Sequence, residues 1–483
     1  MNLKAWIKTH RTDIAIYVSA LLFIALCCAG IRYEKPWVAY SVFFFIGIYL
    51  IGFHTEKCLY LLAFLTPLSI DLREKSPDIA FNISIPSEIL LICLMLMFVW
   101  KAIYEKRYPK ALLTHPISIA IYAYLAWILI ATLASSMPLV SFKFLLSKLW
   151  FIIPCYFFLA ESIYHEERNA LKFLLCYALG LGIVVCMTTV KHIQLGAVEK
   201  VAYWVMSPYY NDHTAYGAVL AFFSCILTGI ALHKEERRNI RFLAAILLIV
   251  CMIGLYLSFS RAAWVSLALA AGVGLLMRWR VRFRTVCAVS AILLIAAFTF
   301  ADDIMYKLNK NDTQSSQDLL EHLQSISNIS SDASNVERIN RWTSAIAMFK
   351  EKPLLGWGPG TYQFQYAPFQ RSKYKTIITT NSGDGGNAHS EYLGLLAETG
   401  FMGTIFLIAL IACALSSGMK SYHHDSSSFR RRICFICTVA LVSYFIHGFF
   451  NNFLDTEKLA VPVFGAMAII AALGARRNET LRP

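Results

Sequence analysis

The chain has 483 residues, of which 58% are hydrophobic and 15% charged, with 44 Lys and Arg against 30 Asp and Glu. Soluble domains hold about 45–50% apolar and about 25% charged residues, so the composition excludes an ordinary soluble enzyme and points into a bilayer. The net charge of +14 would suit a nucleic-acid binder, but about 25 of the 44 basic residues fall in segments that alternate onto one side of a membrane. That is the positive-inside pattern of a multi-span protein, so no nucleic-acid partner is expected.

In chain order, apolar windows of span length lie at about 13–32, 36–53, 57–71, 86–104, 115–136, 141–163, 170–193, 214–233, 240–260, 262–277, 285–301, 390–418, 433–453 and 458–475. The windows 57–71 and 262–277 are short. The expected fold is therefore an all-α integral membrane protein with about 12–14 transmembrane helices. Lys4, Lys8 and Arg11 precede the first window and no small-residue cleavage site follows it, so it is read as a retained helix. The basic clusters around Lys106, Arg237, Arg280 and Arg431 put both termini in the cytoplasm and touch the phospholipid bilayer. The one long polar stretch then falls on the outer side. Three parts result: N-terminal transmembrane helices (1–301), an outer loop subdomain (302–389) and C-terminal transmembrane helices (390–483). All 13 cysteines sit in apolar windows and read as small buried hydrophobes, with no disulfide framework or metal site.

The outer subdomain opens on Asp302-Asp303 and a polar run, followed by a weakly amphipathic stretch with Leu319, Leu320, Leu323, Ile326 and Ile329 on one face. Ser334 with Glu337 three residues on reads as a capping box. Val336, Ile339, Thr343 and Ile346 would line the apolar face of the helix it starts, with Arg338 and Arg341 on another face near headgroup level. Pro353 ends that helix, and Gly356-Trp357-Gly358-Pro359-Gly360 makes a tight loop.

The residues able to carry chemistry gather on the outer side. Lys148 lies inside a span, either paired with a carboxylate or contacting a ligand. His213 closes the polar-aromatic loop Ser207–Thr214 and suits a sugar contact, or a solvated turn. Arg261 joins two spans through almost no loop; it is either an interfacial anchor or a phosphate ligand. Arg338 and Arg341 are either solvated charges or further anion ligands. His389 precedes a span, with Asn387 or Ser390 near the helix cap, where the dipole favours the neutral imidazole a general base needs. Glu398, two turns further on, must face protein or a polar cavity. Asn451, Asn452, Asp455 and Glu457 read by default as a solvated turn. There is no HExxH, Walker loop, GxSxG or paired CxxC, and no acidic cluster suited to Mg²⁺, so neither metal nor cofactor is expected.

Ser260-Arg261, the block Glu337–Gly360, and Asn387-Ala388-His389-Ser390-Glu391-Tyr392-Leu393 with Glu398–Gly403 together resemble the O-antigen ligase / O-antigen polymerase superfamily of bacterial envelope proteins. The resemblance covers roughly residues 240–420; Ser390 and Ala262 depart from the commoner Asn and Gly. It implies a metal-independent GT-C type glycosyltransferase of the bacterial inner membrane, with its catalytic loop in the periplasm. The donor would be an undecaprenyl-diphosphate-linked glycan and the acceptor, for a ligase, the lipid A core. A polymerase, or a protein O-oligosaccharyltransferase, would use the same kind of donor. By the resemblance Arg261 and Arg338 would bind the diphosphate and His389 would act as the base or as an acceptor-positioning group. Arg341, His213 and Lys148 are expected as further substrate contacts.

Overall fold

The computed structural model describes residues 55–72, 83–105, 108–279, 333–375 and 386–480, with a few isolated positions besides. The chain divides into two compact units, 1–58 and 59–483. Of the first, only residues 55–58 and a few isolated positions are among those described. The predicted spans at 13–32, 36–53 and 285–301 lie almost wholly outside the described residues, as do the Leu319–Ile329 stretch and the Ser334 side chain.

The long helices among the described residues are α1 (Thr55–Leu68), α2 (Ser87–Glu105), α3 (Pro116–Leu133), α4 (Pro138–His165), α5 (Arg168–Gln194), α6 (His213–Ala231), α7 (Arg238–Leu257), α8 (Arg261–Arg278), α9 (Ala333–Glu351), α10 (Glu391–His424), α11 (Ser428–His447) and α12 (Glu457–Thr480). Every predicted span on described residues meets one of them. The sequence is helical here because, in hydrocarbon, only a helix satisfies its own backbone groups. The only strands among the described residues are β1 (Ile70–Asp71) and β2 (Ser84–Ile85), an antiparallel pair with Ile70 opposite Ile85. The fold is thus an all-α integral membrane protein. Pro154 lacks an N–H and sits in a single π turn, Ile153–Phe158, that re-registers α4 without breaking it.

Helix α12 is buried along its length and α6 nearly so, while α2, α7 and α8 show apolar residues outward, among them Leu96, Trp100, Ile249 and Leu269. Such faces are ordinary where lipid is the solvent. Two ends of the bundle differ in character. At one, cations pair across helix ends: Arg430 with Asp425 (2.8 Å) and Glu167 (3.4 Å), and Arg168 with Glu236. Ser427 caps α11 by accepting from the Arg430 N–H, so the helix begins at Ser428, ahead of the predicted 433. At the other end meet the start of α12, the end of α1 and the starts of α6 and α10. There Lys458 Nζ donates to the carbonyls of Thr66 (2.8 Å) and Ser69 (2.7 Å), stopping α1 at Leu68.

Candidate active site

Helix α9 is buried on a face other than the predicted one. Glu337, Asn340, Arg341, Ser344, Ala345 and Met348 point inward, and Ile346 is exposed. Arg341 and Glu337 can be buried because they pair: Arg341 Nε donates to Glu337 Oε1 at 2.8 Å. Glu337 is thus engaged one turn downstream, where a capping box would send it back toward Ser334. The Arg341 guanidinium also lies over the Tyr366 ring (4.9 Å) and donates through Nη1 to the Asn387 carbonyl at 3.0 Å. The next residue, Trp342, donates Nε1–H to the His389 carbonyl at 3.2 Å. Two adjacent side chains of α9 therefore hold the backbone on both sides of Ala388.

That backbone is strained. His389 has φ of 48°, in the left-handed region. Its N–H donates to Asn387 Oδ1 (3.0 Å), and Ser390 caps α10 by accepting from Leu393 N–H. Of the two residues expected near the cap, Ser390 is the cap and Asn387 makes the turn before it. Burial first, then the charges of Arg341 and Arg338, push the His389 imidazole down to about 4, against a pull upward from Asp212 and from a hydrogen bond with Asn451. The imidazole is neutral near pH 7. His447, on α11, lies beside the Ala262 backbone and within the field of Arg338 and Asp212. Asn451 Nδ2 and His447 Nε2 are 3.1 Å apart.

The glycine-rich loop has a mechanical role. Gly400 interrupts α10 with φ of 70° and ψ of −172°. A Cβ there would sit 2.0 Å from the Leu354 carbonyl oxygen, and one on Gly356 would sit 2.3 Å from the Glu398 carbonyl carbon. The loop and the kink interlock backbone to backbone. Trp357 and Gly358 N–H groups donate to the Ala397 (3.1 Å) and Glu398 (2.8 Å) carbonyls that the kink frees, and Glu398 Oε1 accepts from Tyr362 N–H at 3.0 Å. Ser141 and Trp127 tie the same knot to α4 and α3 through the Pro359 (2.8 Å) and Thr399 (2.9 Å) carbonyls.

Asn387, Ala388 and Ser390, on either side of His389, line a cavity of about 390 Å³ with Asp212, Glu391, Glu398, Tyr362, Lys148 and Asp455. Its size falls in the range of small-ligand sites, though its walls are more polar than most. Lys148 Nζ donates to Asp455 Oδ1 (2.7 Å) and the Leu454 carbonyl (2.9 Å). Glu391 Oε1 accepts from Tyr444 Oη (2.5 Å) and the N–H groups of Phe453 (2.7 Å) and Leu454 (2.9 Å). The Asn451–Glu457 segment is therefore no solvated turn: Asn451, Phe453 and Glu457 are buried, pinned by carboxylate and ammonium groups from two helices.

Residues 243–408 match the O-antigen ligase family. The match is a similarity over part of the chain and supports the O-antigen ligase/polymerase superfamily, whose members are membrane proteins of ligase or polymerase kind. The matched segment runs from α7 through the kink of α10, about a third of the chain, and holds Arg261, Arg338, Arg341 and His389. No curated protein matches the chain.

The fold places Arg338 within electrostatic range of His389. It sets Arg261, the exposed first residue of α8, one position before Ala262, whose backbone meets His447. His213 opens α6 beside its N-cap Asp212, with its ring edge-on to Tyr203 at 4.7 Å. Lys148 lines the cavity, and Arg341 holds the His389 loop through the Asn387 carbonyl. Outside the matched segment, the sequence reading missed His447, Asp212 as a charge acting on His389, and Asn451 as its hydrogen-bond partner. The one signal for them was a histidine ending an apolar span, followed by Asn451-Asn452. Among the described residues no group of three His, Cys, Asp or Glu is arranged to hold a metal ion.

Proposed function

We propose that this chain is an O-antigen ligase, moving a polysaccharide from undecaprenyl diphosphate to the lipid A core on the periplasmic side of the inner membrane. The observation that carries the reading is His389: neutral, fixed in a left-handed turn, within the field of Arg338 and set between Ala388 and Ser390, which line a polar cavity. In this reaction an acceptor hydroxyl attacks the anomeric carbon. The glycosidic C–O bond to the diphosphate breaks, and undecaprenyl diphosphate leaves with the electron pair. His389 takes the hydroxyl proton. Arg338 and Arg261 face the charge that gathers on the leaving diphosphate, the task a guanidinium fork performs without a metal. Cavity carboxylates and Lys148 accept from and donate to sugar hydroxyls, with His213 at the Asp212 side. Arg341 serves the reaction by holding the His389 loop.

The test is complementation of a ligase-deficient Gram-negative host that makes this chain's donor glycan, with wild type, His389→Ala and Arg338→Ala. Capped lipopolysaccharide from wild type, and long glycan left on the lipid carrier in both variants, supports the ligase. Lengthened lipid-linked glycan that never caps the core makes the chain a polymerase.

A further inference from the structure

His389 has a partner outside the matched segment. Asn451 is buried in the loop between α11 and α12, and its side chain meets two histidines. An amide nitrogen has no acceptor lone pair, so the 3.1 Å contact runs from Asn451 Nδ2–H to the bare Nε2 of His447. Nδ2 keeps a second N–H, but the Asn451 hydrogen bond pulls His389 toward its protonated form, as a bond donated by the imidazole to Oδ1 does, and Thr214 Oγ1 lies 3.5 Å from that same oxygen. A carbonyl oxygen only accepts, so it calls for an N–H on the facing nitrogen of His389. The other ring nitrogen then carries the lone pair. The loop that holds Asn451 is itself fixed, since Glu391 and Lys148 bind the backbone of Phe453 and Leu454 directly downstream.

Resting on the base role assigned above, we infer that Asn451 is the positioning residue of His389: it selects the tautomer and aims the free lone pair, and His447 locks the Asn451 amide in the orientation this needs. His447 is thereby a hydrogen-bond acceptor and not a second base. The charged groups facing the pair are Arg338, Arg341 and Asp212 for His389, and Arg338 and Asp212 for His447.

The experiment uses the full chain in nanodiscs and its host's lipid-linked glycan. Release of undecaprenyl diphosphate is measured against pH, with rough lipopolysaccharide or a second lipid-linked glycan as acceptor. Asn451→Ala should lower kcat about 10- to 100-fold, part of the ~10²–10⁴ a positioned base contributes, with KM changed less than about twofold. His447→Leu should do the same, and His447→Gln, which restores an acceptor, should recover most of that loss. Asn451→Asp places a carboxylate on the imidazole and should move the acid limb of the rate upward by about one pH unit or more. An active wild type with kcat unchanged in Asn451→Ala, His447→Gln as slow as His447→Leu, or an unmoved limb in a folded Asn451→Asp overturns this inference alone. A wild type that releases no undecaprenyl diphosphate with either acceptor overturns the transferase reading and this inference with it.

Discussion

Arg341 separates two kinds of role. A diphosphate ligand should be reachable and should owe little to Glu337. The structure instead buries both side chains, with 7% and 5% of their surface exposed, in an ion pair at 2.8 Å. Removing one partner of a buried pair costs about 3–5 kcal/mol because the other charge is left uncompensated. Losing the bond to the Asn387 carbonyl adds to the local cost, on the order of 1 kcal/mol. Arg341→Met should therefore destabilise the His389 loop by at least about 3 kcal/mol, which speeds opening roughly a hundredfold. The assay is hydrogen exchange of the Asn387–Tyr392 amides in nanodiscs, beside kcat and KM for the donor. Glu337→Gln alone should loosen the same amides, while the double variant Glu337→Gln/Arg341→Met, with no charge left to strand, should regain part of the protection. Unchanged exchange in Arg341→Met, with only a raised donor KM, would refute the clamp and make Arg341 a substrate ligand.

Gly400→Ala should cost about 3 kcal/mol or more, since its backbone occupies a region nearly confined to glycine and the Cβ would meet the Leu354 carbonyl at 2.0 Å; thermal denaturation in detergent reads it. Trp342→Phe keeps the ring against Phe450 but removes the bond to the His389 carbonyl. It should slow transfer about fivefold, by roughly 1 kcal/mol of lost restraint, without lowering the melting temperature by more than a few degrees. The pH profile carries a sign: with His389 pushed from 6.5 down to about 4, the base stays neutral above about pH 5, so the acid limb should lie near 4. Between those two values the unfolded chain binds a proton that the folded chain does not, so the His389 contribution to stability falls as pH drops from 6.5 to 4. A limb near 6.5 would show that another group, or a differently placed His389, controls the rate.

The spans were legible because hydrocarbon leaves the backbone one local solution, and runs such as Arg238–Leu257 and Pro116–Leu133 declare it by composition alone. Pro353 and the glycines around Trp357 likewise announced a turn, and His389 at the head of a span announced itself through an apolar context in which polar residues are costly. Helix α9 was misread because the rule that apolar residues face inward assumes an apolar interior. Here the interior offers Asn387, Tyr366 and a paired carboxylate, so Arg341 goes in and Ile346 stays out. The loop Asn451–Glu457 looked solvated for the same reason: Glu391 and Lys148, which hold its backbone, lie on distant helices, and only His447, four residues before Asn451, is local to it. The sequence by itself determined which segments enter the membrane and which residue types could move a proton or meet an anion, because both follow from the solvation of single side chains. That Lys148 meets Asp455, which face of α9 turns inward, and how Asn451 meets His389 were decided only by the tertiary structure, because each depends on a partner far along the chain.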